Sequence, residues 1–321
     1  MRDASPVMER IEALGVLPVI EIDDPATAGP LAEALVQGGV DALEVALRTD
    51  AALSAVAGLR AARPELLVGA GTVLSPAQAD EAVSAGAAFI VAPGFNPKVV
   101  RHCVEAGIPV FPGVGCATDI ELALEAGLAA VKFFPAAPLG GMNTLRAMAA
   151  PFRSRMRYIP LGGLGPSNMA EYARSGLILA MGGTWIAKSS LVRAGNFAAV
   201  ALNAKTALRI AHGLRPLSIA FALDRDPAPA ESGGLLEAFA ALGAPLGPWG
   251  RSDGAPCGEL RLACNNPSRT ALWLRLAKGV ASSPATPLTE GVSPAAAEHV
   301  LHGTLGGFTV RLVPYPKEET C

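Results

Sequence analysis

The chain has 321 residues, 51% hydrophobic and 17% charged, with a formal net charge of −2. So small and scattered a charge excludes a basic nucleic-acid surface or a polybasic membrane patch, and no uncharged apolar run reaches the roughly 18 residues a membrane helix needs. The length accommodates one barrel of about 200–250 residues and a small second domain.

A leading helix is expected at residues 5–14. From there to about residue 212, short apolar runs alternate with amphipathic stretches. Strands are expected at Leu17–Ile22, Ala42–Leu47, Leu66–Gly71, Ala88–Pro93, Pro109–Val114, Ala129–Pro135, Arg157–Gly162 and Leu177–Gly182. Helix signals fill the gaps. Asp24-Pro25, Ser75-Pro76 and Asn96-Pro97 read as a capping side chain followed by proline at the first helical position, and Thr118 precedes a further helix. Gly38-Gly39, Gly86, Gly107 and Gly127 read as the matching stops. Eight β-then-α units predict an α/β fold, with closure into a parallel (β/α)8 TIM barrel favoured over an open doubly wound sheet. The leading helix would cap its floor.

Composition shifts near Gly213-Leu214-Arg215-Pro216, dividing the chain into residues 1–213 and 214–321. Beyond that point residues 227–230, 265–268 and 282–287 are loop-like. Strands are expected at Leu217–Leu223, Glu259–Cys264, Ala271–Ala277 and Phe308–Val313, and helices at residues 233–242 and 294–302. The order β-α-β-β-α-β predicts a small α+β domain of ferredoxin-like kind. With the second helix replaced by a loop, the same segment reads as half of a glyoxalase-type module.

The cysteines, Cys103, Cys116, Cys257, Cys264 and Cys321, are odd in number and contain no Cys-x-x-Cys pair, which argues against a disulfide framework or a structural zinc site. His299 and His302 would share a helical face, but neither has an acidic or cysteine companion at ligand spacing, so no metal site is expected. The N-terminal residues lack the apolar core of a signal peptide, and a cytoplasmic location is expected.

Lys132 lies within Ala-Ala-Val-Lys-Phe-Phe-Pro-Ala (129–136), a run that otherwise reads as a buried strand. Burying an ammonium costs several kcal/mol, so a lysine in such a place tends to shed its proton and become the nucleophile that imine chemistry requires. The plainer reading is a lysine whose head reaches solvent or pairs with an acid. Period-two alternation turns Glu44, Ala46 and Arg48 to one side of the second strand, and Ala130, Lys132 and Phe134 to the same inward side of the sixth. An amine and a carboxylate facing each other across a barrel suit carbon–carbon bond chemistry, one capturing a ketone and the other moving protons. Glu44 could also serve as a salt-bridge partner alone, and the two roles are compatible.

Leu161-Gly162-Gly163-Leu164 and Met181-Gly182-Gly183-Thr184 end the seventh and eighth strands, about twenty residues apart. Barrel enzymes commonly bind a substrate phosphate there through exposed backbone N–H groups. Thr184 would add a hydroxyl. Glycine pairs also occur as simple turns.

The segments at 43–49 (Leu-Glu-Val-Ala-Leu-Arg-Thr), 68–74 (Val-Gly-Ala-Gly-Thr-Val-Leu), 91–94 (Val-Ala-Pro-Gly), 111–114 (Phe-Pro-Gly-Val), 131–136 (Val-Lys-Phe-Phe-Pro-Ala), 160–164 (Pro-Leu-Gly-Gly-Leu) and 181–185 (Met-Gly-Gly-Thr-Trp) occur in order at the expected strand ends. Together they resemble the 2-keto-3-deoxy-6-phosphogluconate (KDPG) and 4-hydroxy-2-oxoglutarate (KHG) aldolases over residues 10–212. The resemblance implies a class I, Schiff-base aldolase, typically homotrimeric and needing no cofactor. Lys132 would form the imine, and Glu44 would transfer protons with the help of a water. Arg48, Thr72 and Pro93 would hold the substrate carboxylate, and Phe134 would line the pocket. Gly162, Gly163, Gly183 and Thr184 would bind phosphate.

The reaction so implied is cleavage of the phosphorylated 2-keto-3-deoxy sugar acid of the Entner–Doudoroff pathway to pyruvate and glyceraldehyde 3-phosphate. Leu161 departs from the threonine usual in phosphogluconate enzymes, at a position that faces the sugar hydroxyls. Relatives acting on the galactonate epimer carry an apolar residue there, so that epimer is one alternative substrate, and unphosphorylated 4-hydroxy-2-oxoglutarate is another. A non-catalytic phospho-sugar sensor is the alternative of a different class. Residues 214–321 fall outside the resemblance.

Overall fold

The computed structural model describes residues 6–213, the strands at 215–220, 259–264, 281–284, 299–302 and 309–314, and the helical pair 269–270. The chain divides into two compact units, Met1–Tyr172 with Leu177–Ala207, and Ala173–Gly176 with Leu208–Cys321.

Over residues 6–212 the elements are α1 (Pro6–Leu14), β1 (Val16–Ile20), α2 (Ala28–Gln37), β2 (Ala42–Ala46), α3 (Ala52–Ala62), β3 (Leu67–Gly71), α4 (Pro76–Ser84), β4 (Phe89–Val91), α5 (Pro97–Glu105), β5 (Val110–Phe111), β6 (Gly113–Val114), α6 (Ala117–Glu125), β7 (Ala130–Phe133), α7 (Gly141–Ala149), β8 (Arg157–Pro160), α8 (Met169–Ala173), β9 (Met181–Gly183), α9 (Ser189–Arg193) and α10 (Phe197–His212). A six-stranded sheet runs β5-β4-β3-β2-β1-β9, and a three-stranded sheet runs β6-β7-β8. All pairings in both are parallel. The result is a curled parallel α/β sheet flanked by helices. Its strands are buried nearly throughout, as strands with both faces covered must be.

Local chemistry sets the helix ends. Ser75 accepts from the Gln78 N–H at 3.2 Å and Asn96 from the Lys98 N–H at 3.0 Å, each ahead of a proline. Asp24 accepts from the Ala26 N–H at 2.9 Å, but there Pro25 opens a single 3-10 turn that leads into α2. The helix expected to follow Thr118 starts two residues earlier, at Ala117, and includes Thr118. Asp119 sets that start, because its carboxylate accepts the N–H groups of Gly115 at 2.8 Å and Cys116 at 3.2 Å.

Helix α1 is tied to the N-terminal ends of two strands. Arg10 pairs with Asp41 at 2.6 Å, just before β2, and Arg157 at the start of β8 pairs with Glu12 at 2.8 Å. Inside the sheet, small residues face large ones. Gly69 leaves the space that the ring of Phe89 fills, and Phe89 meets Phe111 edge-on with centroids 5.7 Å apart. Among the described residues, no helix is long and apolar enough to cross a membrane.

The second unit holds a five-stranded sheet of β10 (Arg215–Ala220), β11 (Glu259–Cys264), β12 (Ala281–Pro284), β13 (His299–His302) and β14 (Thr309–Pro314), in the order β10-β11-β14-β13-β12. β11 and β14 are parallel, and the other neighbours are antiparallel. That order differs from a ferredoxin-like sheet, in which the first and last strands of the motif pair antiparallel. Two local expectations also change. Residues 299–302 form a strand instead of the end of a helix, and Ser282–Pro284 lie in β12 instead of a loop. His299 and His302 are therefore the two ends of a strand. Among the described residues, no group of three or more His, Cys, Asp or Glu could hold a metal ion. The strand expected at Ala271–Ala277 and the helix at 233–242 lie outside the described residues.

Candidate active site

Two charged side chains meet inside the first unit. Lys132 comes from β7 and Glu44 from β2, strands that belong to different sheets. Lys132 is 5% exposed and Glu44 fully enclosed, with Lys132 Nζ 3.4 Å from Glu44 Oε1. Each buried ion would cost several kcal/mol alone, so each depends on the other. The Nζ also stands 5.0 Å from the centre of the Phe134 ring, a cation–π distance. Room for the carboxylate comes from β3, because a side chain at Gly71 would overlap Glu44.

The remaining expected residues lie at or just past strand ends of the same unit. Arg48, two residues beyond β2, lies at the rim with its side chain about half exposed, and its Nη1 donates to Glu21 Oε1 at 2.5 Å. Thr72 follows β3 at φ 61°, in the left-handed region that a β-branched residue rarely enters. Such strain costs on the order of 1–3 kcal/mol and tends to gather where a side chain must be aimed. Pro93 follows β4, and its carbonyl packs so closely on Gly113 that a side chain there would overlap it.

The glycine pairs differ from each other. Gly162 and Gly163 both take positive φ, 92° and 82°. A Cβ on Gly162 would sit 3.3 Å from the Phe134 ring, which places this turn beside the Lys132 pocket. Gly163 and Thr184 are exposed, whereas Gly182 and Gly183 are buried. Leu161, 3% exposed, packs onto Gly182, where any side chain would overlap it.

Four residues at the site escape sequence reasoning. Gly71 is one, and its alternation with Gly69 on β3 is the signal that would have found it. Glu21 is another, because an acid just past an apolar strand looks like an ordinary solvent-facing residue. Asn168 pins the first glycine turn, accepting from the Gly165 N–H at 2.9 Å and donating to the Gly163 carbonyl at 3.0 Å. Asn203 holds the segment after the second pair, donating to the carbonyls of Trp185 and Ile186 at 3.2 Å each. Asn203 acts on backbone 17 and 18 residues away, which no local pattern marks, whereas Asn168 acts on backbone three and five residues before it.

The chain is similar to known proteins over about its first two hundred residues. The model of the KDPG and KHG aldolase family matches residues 7–202. A 2-dehydro-3-deoxy-phosphogluconate aldolase of Treponema pallidum is 43% identical over 204 residues, covering 64% of this chain and 97% of that protein. The crystal structure of the 2-keto-3-deoxy-6-phosphogluconate aldolase of Zymomonas mobilis with 3-phosphoglycerate is 39% identical, with a TM-score of 0.60 over 63% of this chain and 94% of that one. A KDPG aldolase from Legionella pneumophila, with pyruvate captured as a covalent carbinolamine, is 34% identical, with a TM-score of 0.61 over 63% of this chain and 98% of that one. The chain is an aldolase, a carbon–carbon lyase, and belongs to the KDPG and KHG aldolase family.

Proposed function

We propose that the chain cleaves 2-dehydro-3-deoxy-6-phosphogluconate reversibly to pyruvate and glyceraldehyde 3-phosphate through an imine on Lys132. The observation that carries this reading is the enclosed contact of 3.4 Å between Lys132 Nζ and Glu44 Oε1. Glu44 takes the proton that frees the amine, and the amine attacks the C2 ketone. Glu44 returns that proton to the hydroxyl of the resulting carbinolamine, which leaves as water, so that a protonated imine forms and Glu44 is again a carboxylate. Glu44, through a water, then removes the proton of the C4 hydroxyl, and the C3–C4 bond breaks. Its electron pair flows into the imine, which becomes an enamine, and the aldehyde departs. Protonation at C3 and hydrolysis release pyruvate. Glu44 Oε2 is buried and has no protein hydrogen-bond partner, which leaves it as an acceptor for that hydroxyl or water.

In this reading Arg48, Thr72 and Pro93 hold the carboxylate end, and Phe134 and Leu161 line the sugar chain. The turn at Gly162 and Gly163 and the segment Gly182-Gly183-Thr184 take the phosphate. Positive φ at the first turn supports that role, because it exposes backbone N–H groups to an anion. The mechanism needs no cofactor. A steady-state assay of pyruvate release tests it, run with and without excess chelator. Cleavage at equal rates in both is expected, and absence of pyruvate release would overturn the proposal.

The finer architecture is part of the same proposal, a closed (β/α)8 barrel over residues 1–213. Pairing supports closure. β9 returns to β1, Pro112 alone separates β5 from β6, and a parallel bridge from Tyr158 to Ile178 continues the sheet past β8 toward β9. Residues 214–321 would form a separate α+β domain not needed for the chemistry. Its β11-β14-β13-β12 order, with β11 and β14 parallel, favours the half-glyoxalase connectivity. Truncation after Gly213 should leave kcat/KM within about threefold. We also propose a cytoplasmic homotrimer, and analytical ultracentrifugation tests the trimer.

4-Hydroxy-2-oxoglutarate is the second substrate reading, and buried Leu161 favours testing the galactonate epimer as a third. A non-catalytic sensor has no use for an enclosed amine–carboxylate pair.

A further inference from the structure

We propose that Glu21 is the counter-ion of Arg48, and that it sets how tightly the site takes the carboxylate of a 2-keto acid. The inference rests on the reading of Arg48 as the carboxylate receptor.

The contact is imposed by the sheet. Parallel register sets Val19 against Glu44 and Ile20 against Val45, so the next residue, Glu21, emerges beside the end of β2. Thr49 then donates its hydroxyl to the Ile22 carbonyl at 2.6 Å, tying the two strand ends together just beyond. Arg48 Nη1 meets Glu21 Oε1 at 2.5 Å between these fixed points. The neighbouring acid of the same loop, Asp23, is engaged elsewhere, with Arg193 at 3.1 Å.

Only one edge of the guanidinium is committed. The group carries five N–H donors in a planar fork, and a single contact to Glu21 leaves donors for a second carboxylate. A keto acid arriving there meets an arginine that already has an anion, and the two carboxylates repel. Glu21 thus holds Arg48 in position and weakens its pull on substrate at the same time. Both partners are partly exposed, 49% and 32%, so solvent screens the repulsion and the effect is small. Removing the charge while keeping the shape should tighten keto-acid binding by about two- to fivefold.

The test titrates pyruvate calorimetrically into the full chain, the Glu21→Gln and Arg48→Gln variants, and the double variant. Borohydride trapping of pyruvate on the wild type runs in parallel. Glu21→Gln should lower the pyruvate Kd by about two- to fivefold at low salt, with the gain shrinking at 1 M salt. Arg48→Gln should raise the Kd, and adding Glu21→Gln to it should change nothing further. In steady state the effect should fall on KM for the keto acid, not on kcat.

An unchanged or raised Kd in Glu21→Gln would overturn the proposal, as would the same gain with Arg48 absent, or no pyruvate binding by any variant. If the wild type binds pyruvate but traps no adduct on Lys132, the aldolase mechanism fails while the Kd comparison still decides the role of Glu21.

Discussion

Gly71 and Glu44 compete for one space on the inner wall of the sheet. Glu44 rises from β2 and lays its carboxylate across the backbone of β3, and a Cβ built on Gly71 would overlap its Oε1, Cδ and Cγ. Glycine at 71 therefore lets the carboxylate reach Lys132. Replacement by alanine should push Glu44 out of line and lower kcat by about 100- to 10,000-fold, the range typical of losing a proton-transfer group. The overpacking should also cost about 1–3 kcal/mol of stability. Steady-state kinetics and urea unfolding check both, and kcat within threefold of wild type would contradict the assignment.

Glu44→Gln separates the two chemical steps. The glutamine keeps the shape but cannot take a proton, so cleavage should fall by about 100- to 10,000-fold. Borohydride trapping of pyruvate should persist at a slower rate, because Lys132 remains and solvent can take its proton in place of Glu44. Loss of trapping together with cleavage would instead make Glu44 necessary for imine formation itself.

Leu161→Thr tests the substrate reading. Leu161 is buried against Gly182 at the end of β8, so a shorter side chain with a hydroxyl would face the sugar chain from the same wall. The ratio of kcat/KM for the gluconate over the galactonate epimer should rise, by about tenfold for one well-placed hydrogen bond. An unmoved ratio would remove Leu161 from the determinants of stereochemistry.

Stability should fall at alkaline pH. Burial, with a smaller contribution from Asp80, pushes the Cys103 thiol up from 9.0 to about 11, and burial pushes the Tyr158 phenol up from 10.0 to about 12. As pH rises through 9 and 10, the unfolded chain releases protons that the folded chain still holds. Stability is thus complete below about pH 9 and declines toward about pH 12. Each group contributes a loss of about 2–3 kcal/mol, from a shift of about two units. Urea midpoints from pH 8 to 11 check the slope. Cys103→Ala should flatten its lower part and Tyr158→Phe its upper part.

The path from residues to fold was most direct where one signal had one physical cause. Ser75-Pro76 and Asn96-Pro97 mark helix starts because the side chain and the missing N–H act within one turn, and both lie where expected. Lys132 stood out because a charge inside an apolar strand has few explanations, and period-two geometry paired it with Glu44. Pro112 splits one expected strand into β5 and β6, since it has no N–H to donate. Residues whose meaning depends on a distant partner were not legible. Glu21 is defined by Arg48, Gly71 by the carboxylate above it, and Asn203 by the backbone it holds. In the second unit, serine and proline at 282–284 carry a loop composition, yet pairing with β13 draws them into the sheet.

The central claim is that the amine of Lys132 bonds to the C2 carbon of the substrate. Borohydride added with pyruvate reduces such an imine to a stable secondary amine, which peptide mass spectrometry can place on one residue. The account predicts a single adduct on the peptide containing Lys132, absent from the Lys132→Met variant. No adduct, or an adduct on Lys98 or Lys188 instead, would contradict it.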